Sequence, residues 1–167
     1  MSTKLYWTSG PWPGKLALAA RPRGGDWLED ELKSWRAAGI DLVLSLLTPE
    51  EAGELGLQKE QREARNSDVR FLSLPIPDRQ VPSSESSVKE TIEQLDSALS
   101  AGKNVVIHCR QGVGRSGLVA ACLLISKGLS SGAAVETLSA ARGLTIPETP
   151  EQRSWIDHYA ASLAGAK

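Results

Sequence analysis

Residues 105–117 read Val-Val-Ile-His-Cys-Arg-Gln-Gly-Val-Gly-Arg-Ser-Gly, preceded by Asn104. A short β-branched strand over 104–108 runs into a glycine-containing loop, and an apolar helix follows from Ser116 to about Lys127. Val105, Val106 and Ile107 show no polar alternation, so both faces of this strand are buried. It must lie in the centre of a sheet with helices on either side. A strand that feeds a helix through a tight loop is the repeating step of an α/β fold.

The rest of the chain fits that step. Strand patterns fall at 15–20, 42–47 and 71–76. Trp27, Leu28, Leu32 and Trp35 have helical spacing and read as one core face, with Gly39 placed as a helix C′ residue. Thr48-Pro49-Glu50-Glu51 has the form of a capping box with proline at the first helical position, and its short helix stops near Gly56. The polar stretch 58–68 reads as an exposed loop or a frayed helix end. Val88, Ile92, Leu95 and Leu99 share a helix face that opens at 83–87 and ends at Gly102. Further helices are expected at 133–142 and 150–163. The expected architecture is a mostly parallel central sheet of four to five strands flanked on both faces by about six helices. Residues 1–167 would form one domain.

Composition narrows the function. Hydrophobic residues make up 41% and charged residues 23%, which excludes a disordered chain. Nineteen basic side chains against 20 acidic ones give a net charge of −1, so nucleic acid and an anionic membrane surface are not expected partners. Two cysteines, Cys109 and Cys122, cannot build a disulfide framework. With no signal-peptide pattern and no apolar run near the ~20 residues that span a bilayer, a reducing cytoplasmic location and a monomer are expected.

The loop after the central strand is built for an anion. Successive backbone N–H groups over Arg110, Gln111, Gly112, Val113 and Gly114 form a nest, and the following helix N-terminus adds its dipole. Arg110 and Gln111 are expected to contribute backbone N–H groups while their side chains point outward. Cys109 opens the loop, where the helix N-terminus and an arginine favour the thiolate. Arg115, six residues on, offers a planar fork for two oxygens of a phosphoryl group. Ser116 can donate its hydroxyl to the sulfur. A thiolate attacking phosphorus needs a general acid from another loop, and Asp78, stiffened by Pro75 and Pro77 after a neighbouring strand, is in the right place. No metal and no cofactor is expected.

His108-Cys109-x5-Arg115-Ser116 resembles the signature of cysteine-dependent protein tyrosine and dual-specificity phosphatases. The Pro77-Asp78 loop resembles that family's general-acid loop. The likeness extends to the small VH1-like dual-specificity phosphatases. Residues 12–17 match their opening strand, 39–46 match their second, and Glu148-Thr149-Pro150-Glu151-Gln152 resembles their water-positioning segment. The resemblance implies hydrolysis of phosphotyrosine, and of phosphoserine or phosphothreonine, in a phosphorylated protein or peptide. The route is a phosphocysteine intermediate.

Other readings stand beside these. Gln152 fits water positioning and, equally, a capping box with Thr149 and Pro150. His108 is either a group that orders the loop or a core histidine. Cys122 reads as core packing rather than a redox partner. Trp7 and Trp12 are candidates for a substrate surface. A silent phosphopeptide-binding module and a sulfurtransferase or arsenate reductase are the rival functions, the second needing no acid at Asp78.

Overall fold

A computed structural model describes residues 2–165. Five strands form one sheet: β1 (Tyr6–Thr8), β2 (Leu16–Ala19), β3 (Leu42–Ser45), β4 (Arg70–Ser73) and β5 (Val105–His108), in the order β1-β2-β5-β3-β4. β5 is central, as its unbroken apolar character requires. It pairs in parallel with β2 and β3, and β3 pairs in parallel with β4. β1 is antiparallel to β2. It was not anticipated, because three residues are too few to display an alternation.

Seven helices flank the sheet: α1 (Leu28–Ala37), α2 (Pro49–Glu54), α3 (Glu60–Asn66), α4 (Glu85–Ser100), α5 (Arg115–Ser126), α6 (Ser131–Arg142) and α7 (Pro150–Gly165). That is one more than expected. The extra one is α3, in the stretch that reads as exposed from its polarity. Its inner face buries Glu60 and Ala64 against α1 and β4. Two layers of core follow the strand period. Leu16, Leu18, Leu42, Leu44, Val105 and Ile107 face α4 and α5, and α7 packs on α5. Ala17, Ala19, Val43 and Val106 face Leu28, Leu32 and Trp35 on the other side. α5 is buried all round, as its apolar sequence implies.

The tryptophans sort differently from their spacing. Trp35 is core, but Trp27 is 56% exposed, since it belongs to a 3₁₀ turn (Gly25–Trp27) that breaks the helical phase before α1. The Arg23 guanidinium stacks on its ring. Trp12 does not line an open surface. It is buried, and its indole N–H donates to Asp96 at 2.8 Å.

The turn before β2 depends on Gly14. Its N–H donates to Leu99 O at 3.0 Å, and a Cβ there would stand 1.9 Å from Lys103 O. Gly14→Ala should therefore destabilise the protein by roughly 2–3 kcal/mol through overpacking against backbone that cannot move aside. Denaturant unfolding measures this. An unchanged midpoint would mean that the turn lifts freely from the α4–β5 connection.

Candidate active site

β5 ends at His108, Cys109–Gly114 form the loop, and α5 starts at Arg115. The loop is pressed onto β2. Gly112 has φ +74°, and a Cβ on it would lie 2.5 Å from the Ala19 carbonyl carbon. Only glycine meets both the positive φ and the close approach. From the other side Arg142 of α6 donates Nε–H to Gly112 O (3.1 Å) and Nη2–H to Gln111 O (3.0 Å), with its guanidinium over the Tyr6 ring. The Gln111 and Gly112 carbonyls are thereby engaged by Arg142 and do not compete for the loop's N–H groups.

Cys109 Sγ lies beneath this loop, 3% exposed. The Gly112 N–H donates to it at 3.2 Å, and Ser116 Oγ is 3.2 Å away. The Arg110 side chain turns outward toward Glu54 (3.6 Å), as expected. His108 is fully buried, with Nε2 2.6 Å from Glu60 Oε2, so α3 fixes the residue next to the nucleophile. Cys122 sits in the apolar body of α5, and burial pushes its thiol far above the ordinary range, in keeping with core packing.

Arg115 is 1% exposed, and its hydrogen bonds account for that burial. Nη1 donates to Glu51 Oε1 (2.6 Å) and to Ile76 O (2.7 Å). Nη2 donates to Glu51 Oε2 (3.0 Å) and to Asp78 Oδ1 (2.9 Å). Four of the five guanidinium donors are thereby used, and Nε–H is left uncommitted among the described residues. Burial works against ionisation of both Arg115 and Glu51. The bidentate pairing outweighs it, holding the Glu51 carboxyl below the usual range and raising Arg115. Asp78, the expected acid, thus reaches the site through the same arginine that would grip the phosphate.

Glu51 is the residue the sequence reading missed in this role. It was legible as the third position of a capping box, and that box is present: Thr48 N donates to Glu51 Oε1, and Glu51 N donates to Thr48 Oγ1. Its second duty depends on a partner 64 residues away, which spacing does not reveal. Glu60 gave no signal at all inside its polar stretch.

Gln152 is buried, with its amide turned to its own helix start. Oε1 accepts from the N–H groups of Glu148 and Thr149, and Nε2 donates to Gln80 O. Of its two readings, these hydrogen bonds are those of the cap. The side chain nonetheless packs against the loop, where a Cβ on Gly114 would be 2.9 Å from its Oε1.

The resulting pocket, about 50 Å³, is lined by Asp78, Arg79, Cys109, Gln111, Gly114, Arg115 and Glu148. It is polar and narrow, and it suits a phosphoryl-sized group. A larger cavity of about 610 Å³ lies at the opposite end of the sheet. Arg36, Arg65 and Lys103 there stand beside the C-terminal ends of α1, α3 and α4, where cations complement the helix carbonyls.

Residues 17–129 match the family model described as "Polymorphic toxin system, DSP-PTPase phosphatase". The chain is 37% identical over 92 residues to cyclin-dependent kinase inhibitor 3 of Rattus norvegicus, a match covering 54% of this chain and 43% of that protein. It therefore spans less than half the length of that relative. Its fold superposes on a kinase associated phosphatase whose catalytic-site cysteine is substituted by serine, with TM-score 0.89, 24% identity and coverage of 98% and 97% of the two chains. It is also similar to Tk-PTP in its active form, with TM-score 0.74, 30% identity and coverage of 89% and 92%.

Glu51→Gln tests the arginine clamp, because glutamine keeps the capping arm while removing the charge. The variant should lose roughly 3 kcal/mol, since Arg115 stays buried without its main counter-charge. The folded-state carboxyl of Glu51 is depressed, so its contribution is present above the ordinary glutamate range and lost as pH falls through the folded value. Wild type should accordingly lose stability steadily below about pH 5, and the variant more shallowly. Parallel acid curves for the two proteins would detach Glu51 from this linkage.

Proposed function

Because the chain belongs to the DSP-PTPase phosphatase family, we propose that it hydrolyses phosphate monoesters of proteins or peptides through a phosphocysteine intermediate. Phosphotyrosine is the first substrate, and phosphoserine or phosphothreonine follow by the same chemistry. The observation that carries the reading is the meeting of Cys109 Sγ, the backbone cradle and Asp78 around one buried guanidinium.

Cys109 is the nucleophile. Its sulfur attacks phosphorus in line with the ester oxygen, the S–P bond forms and the P–O bond breaks. The loop N–H groups of residues 110–114 and the Arg115 fork hold the three equatorial oxygens as charge builds on them. Asp78 gives its proton to the departing oxygen. As a carboxylate it then takes a proton from water, which attacks phosphorus, breaks the S–P bond and releases inorganic phosphate. Ser116, 3.2 Å from Sγ, donates to the sulfur and eases its departure.

The donor count at Arg115 adds an order to these events. The Nη2–H held by Asp78 is one that a phosphoryl oxygen needs. Substrate entry therefore displaces the Asp78 carboxyl group from the arginine, and in its protonated form it is then free to meet the leaving oxygen. Among the described residues no helix is long and apolar enough to cross a membrane. We propose a reducing, cytoplasmic location, because a free thiol such as Cys109 survives there, and we propose a single domain over residues 1–167 that acts as a monomer. With a net charge of −1, we assign it no nucleic-acid or membrane partner.

Two substitutions test the reading. Cys109→Ser should abolish turnover while phosphopeptides still bind, because the cradle is intact and a hydroxyl does not ionise there. Activity within tenfold of wild type would remove Cys109 from its role. Asp78→Asn should cost about 10²–10⁴ in kcat on phosphotyrosine peptides. The loss should be larger on phosphoserine or phosphothreonine, whose alkoxides are more basic, and clearly smaller on an activated aryl phosphate. A uniform loss across the three leaving groups would make Asp78 a shaping residue and not the acid.

A further inference from the structure

Arg79, directly after the acid, is not used by the chemistry above. Its backbone is left-handed, with φ +63°, a region where glycine is at ease and arginine is not. Such an outlier beside an active site is a reason to ask what the side chain does there. The turn sends neighbouring side chains to opposite walls of the pocket. Asp78 reaches Arg115, and Arg79 Nη1 stands 3.3 Å from Glu148 Oε2. The loop is held beyond this point as well, at Gln80 O by Gln152 Nε2.

Glu148 lies close to the cradle, where a Cβ on Gly114 would be 3.1 Å from its own Cβ. The carboxylate there has a cation beside it, and Arg79 is that cation. The other guanidinium groups near the mouth are engaged differently. Arg115 is buried against Glu51, Arg142 is occupied by loop carbonyls, and Arg110 faces Glu54. The Arg79 side chain is 63% exposed, so its pairing with Glu148 is weak and open to exchange.

We infer that Arg79 selects substrates that carry a second anion beside the scissile phosphate, by leaving Glu148 for that group. The second anion is a carboxylate or another phosphate on the same peptide. The inference rests on the monoester-hydrolase reading.

The test compares kcat/KM on phosphotyrosine peptides with neutral flanks, with acidic flanks and with a second phosphorylated residue, alongside phenyl phosphate. Wild type should favour the doubly anionic peptides over the neutral one by about fivefold, the scale of an exposed ion pair, with the preference fading at high ionic strength. Arg79→Gln should bring that ratio to about one, Arg79→Glu should invert it, and Glu148→Gln should widen it. A larger ratio for the second phosphate names phosphate as the recognised group, and the reverse names the carboxylate. Either result supports the inference. Turnover of phenyl phosphate with a wild-type ratio of one, or an unchanged ratio in Arg79→Gln, would overturn it while leaving the hydrolase reading intact. Absence of turnover on every ester would overturn both.

Discussion

The contact between Gly112 and the backbone of Ala19 fixes the seat for an anion, and much of the fold serves to hold that contact. It requires β5 in the centre of the sheet, β2 beside it in parallel, and no side chain where the loop crosses. It also requires a rigid helix behind the loop, which α5 supplies by being buried along its whole length among α4, α6 and α7. Arg142 then pins the outward carbonyls. A sulfur placed under such a loop meets N–H groups fixed before any substrate arrives, so little reorganisation is needed when charge develops.

Arg115 presents the opposite problem, a charge that must be fixed without water. Its burial draws two separate segments together: α2 through Glu51, and the stretch after β4 through Ile76 O and Asp78. Buried ion pairs of this kind add little net stability over an apolar replacement, yet breaking one is costly. The pair is better understood as a positional device. It aims the guanidinium and holds the loop that carries Asp78 against it.

What the sequence made legible follows from how local each signal is. The strand, loop and helix around Cys109 are continuous in the chain, so the placement of Cys109, the glycine loop, Arg115 and Ser116 together could be read from spacing. Asp78 was legible because two prolines and a strand end mark its loop. Glu60 could not be read. Its helix has a polar outer face, and its burial comes from packing on α1 and β4, which no period within seven residues discloses. Trp27 failed for a related reason, because a 3₁₀ turn has three residues per turn and rotates the side chain out of the face shared by Leu28, Leu32 and Trp35. Trp12 could not be placed without Asp96, which α4 brings to it across 84 residues.

Glu51 answers to two neighbours at once, the N-terminus of a six-residue helix and a guanidinium from across the domain. Aspartate is too short to keep both, glutamine keeps the first without the charge of the second, and any apolar residue keeps neither. Drift at this position is therefore confined far more tightly than its place in a short, partly exposed helix would suggest. Thr48 shares part of that confinement through its two backbone-to-side-chain bonds with Glu51. Within any lineage of such chains, loss of the carboxylate at 51 would mark a copy in which the arginine no longer needs to be held, whereas a change at 48 alone would touch only the cap.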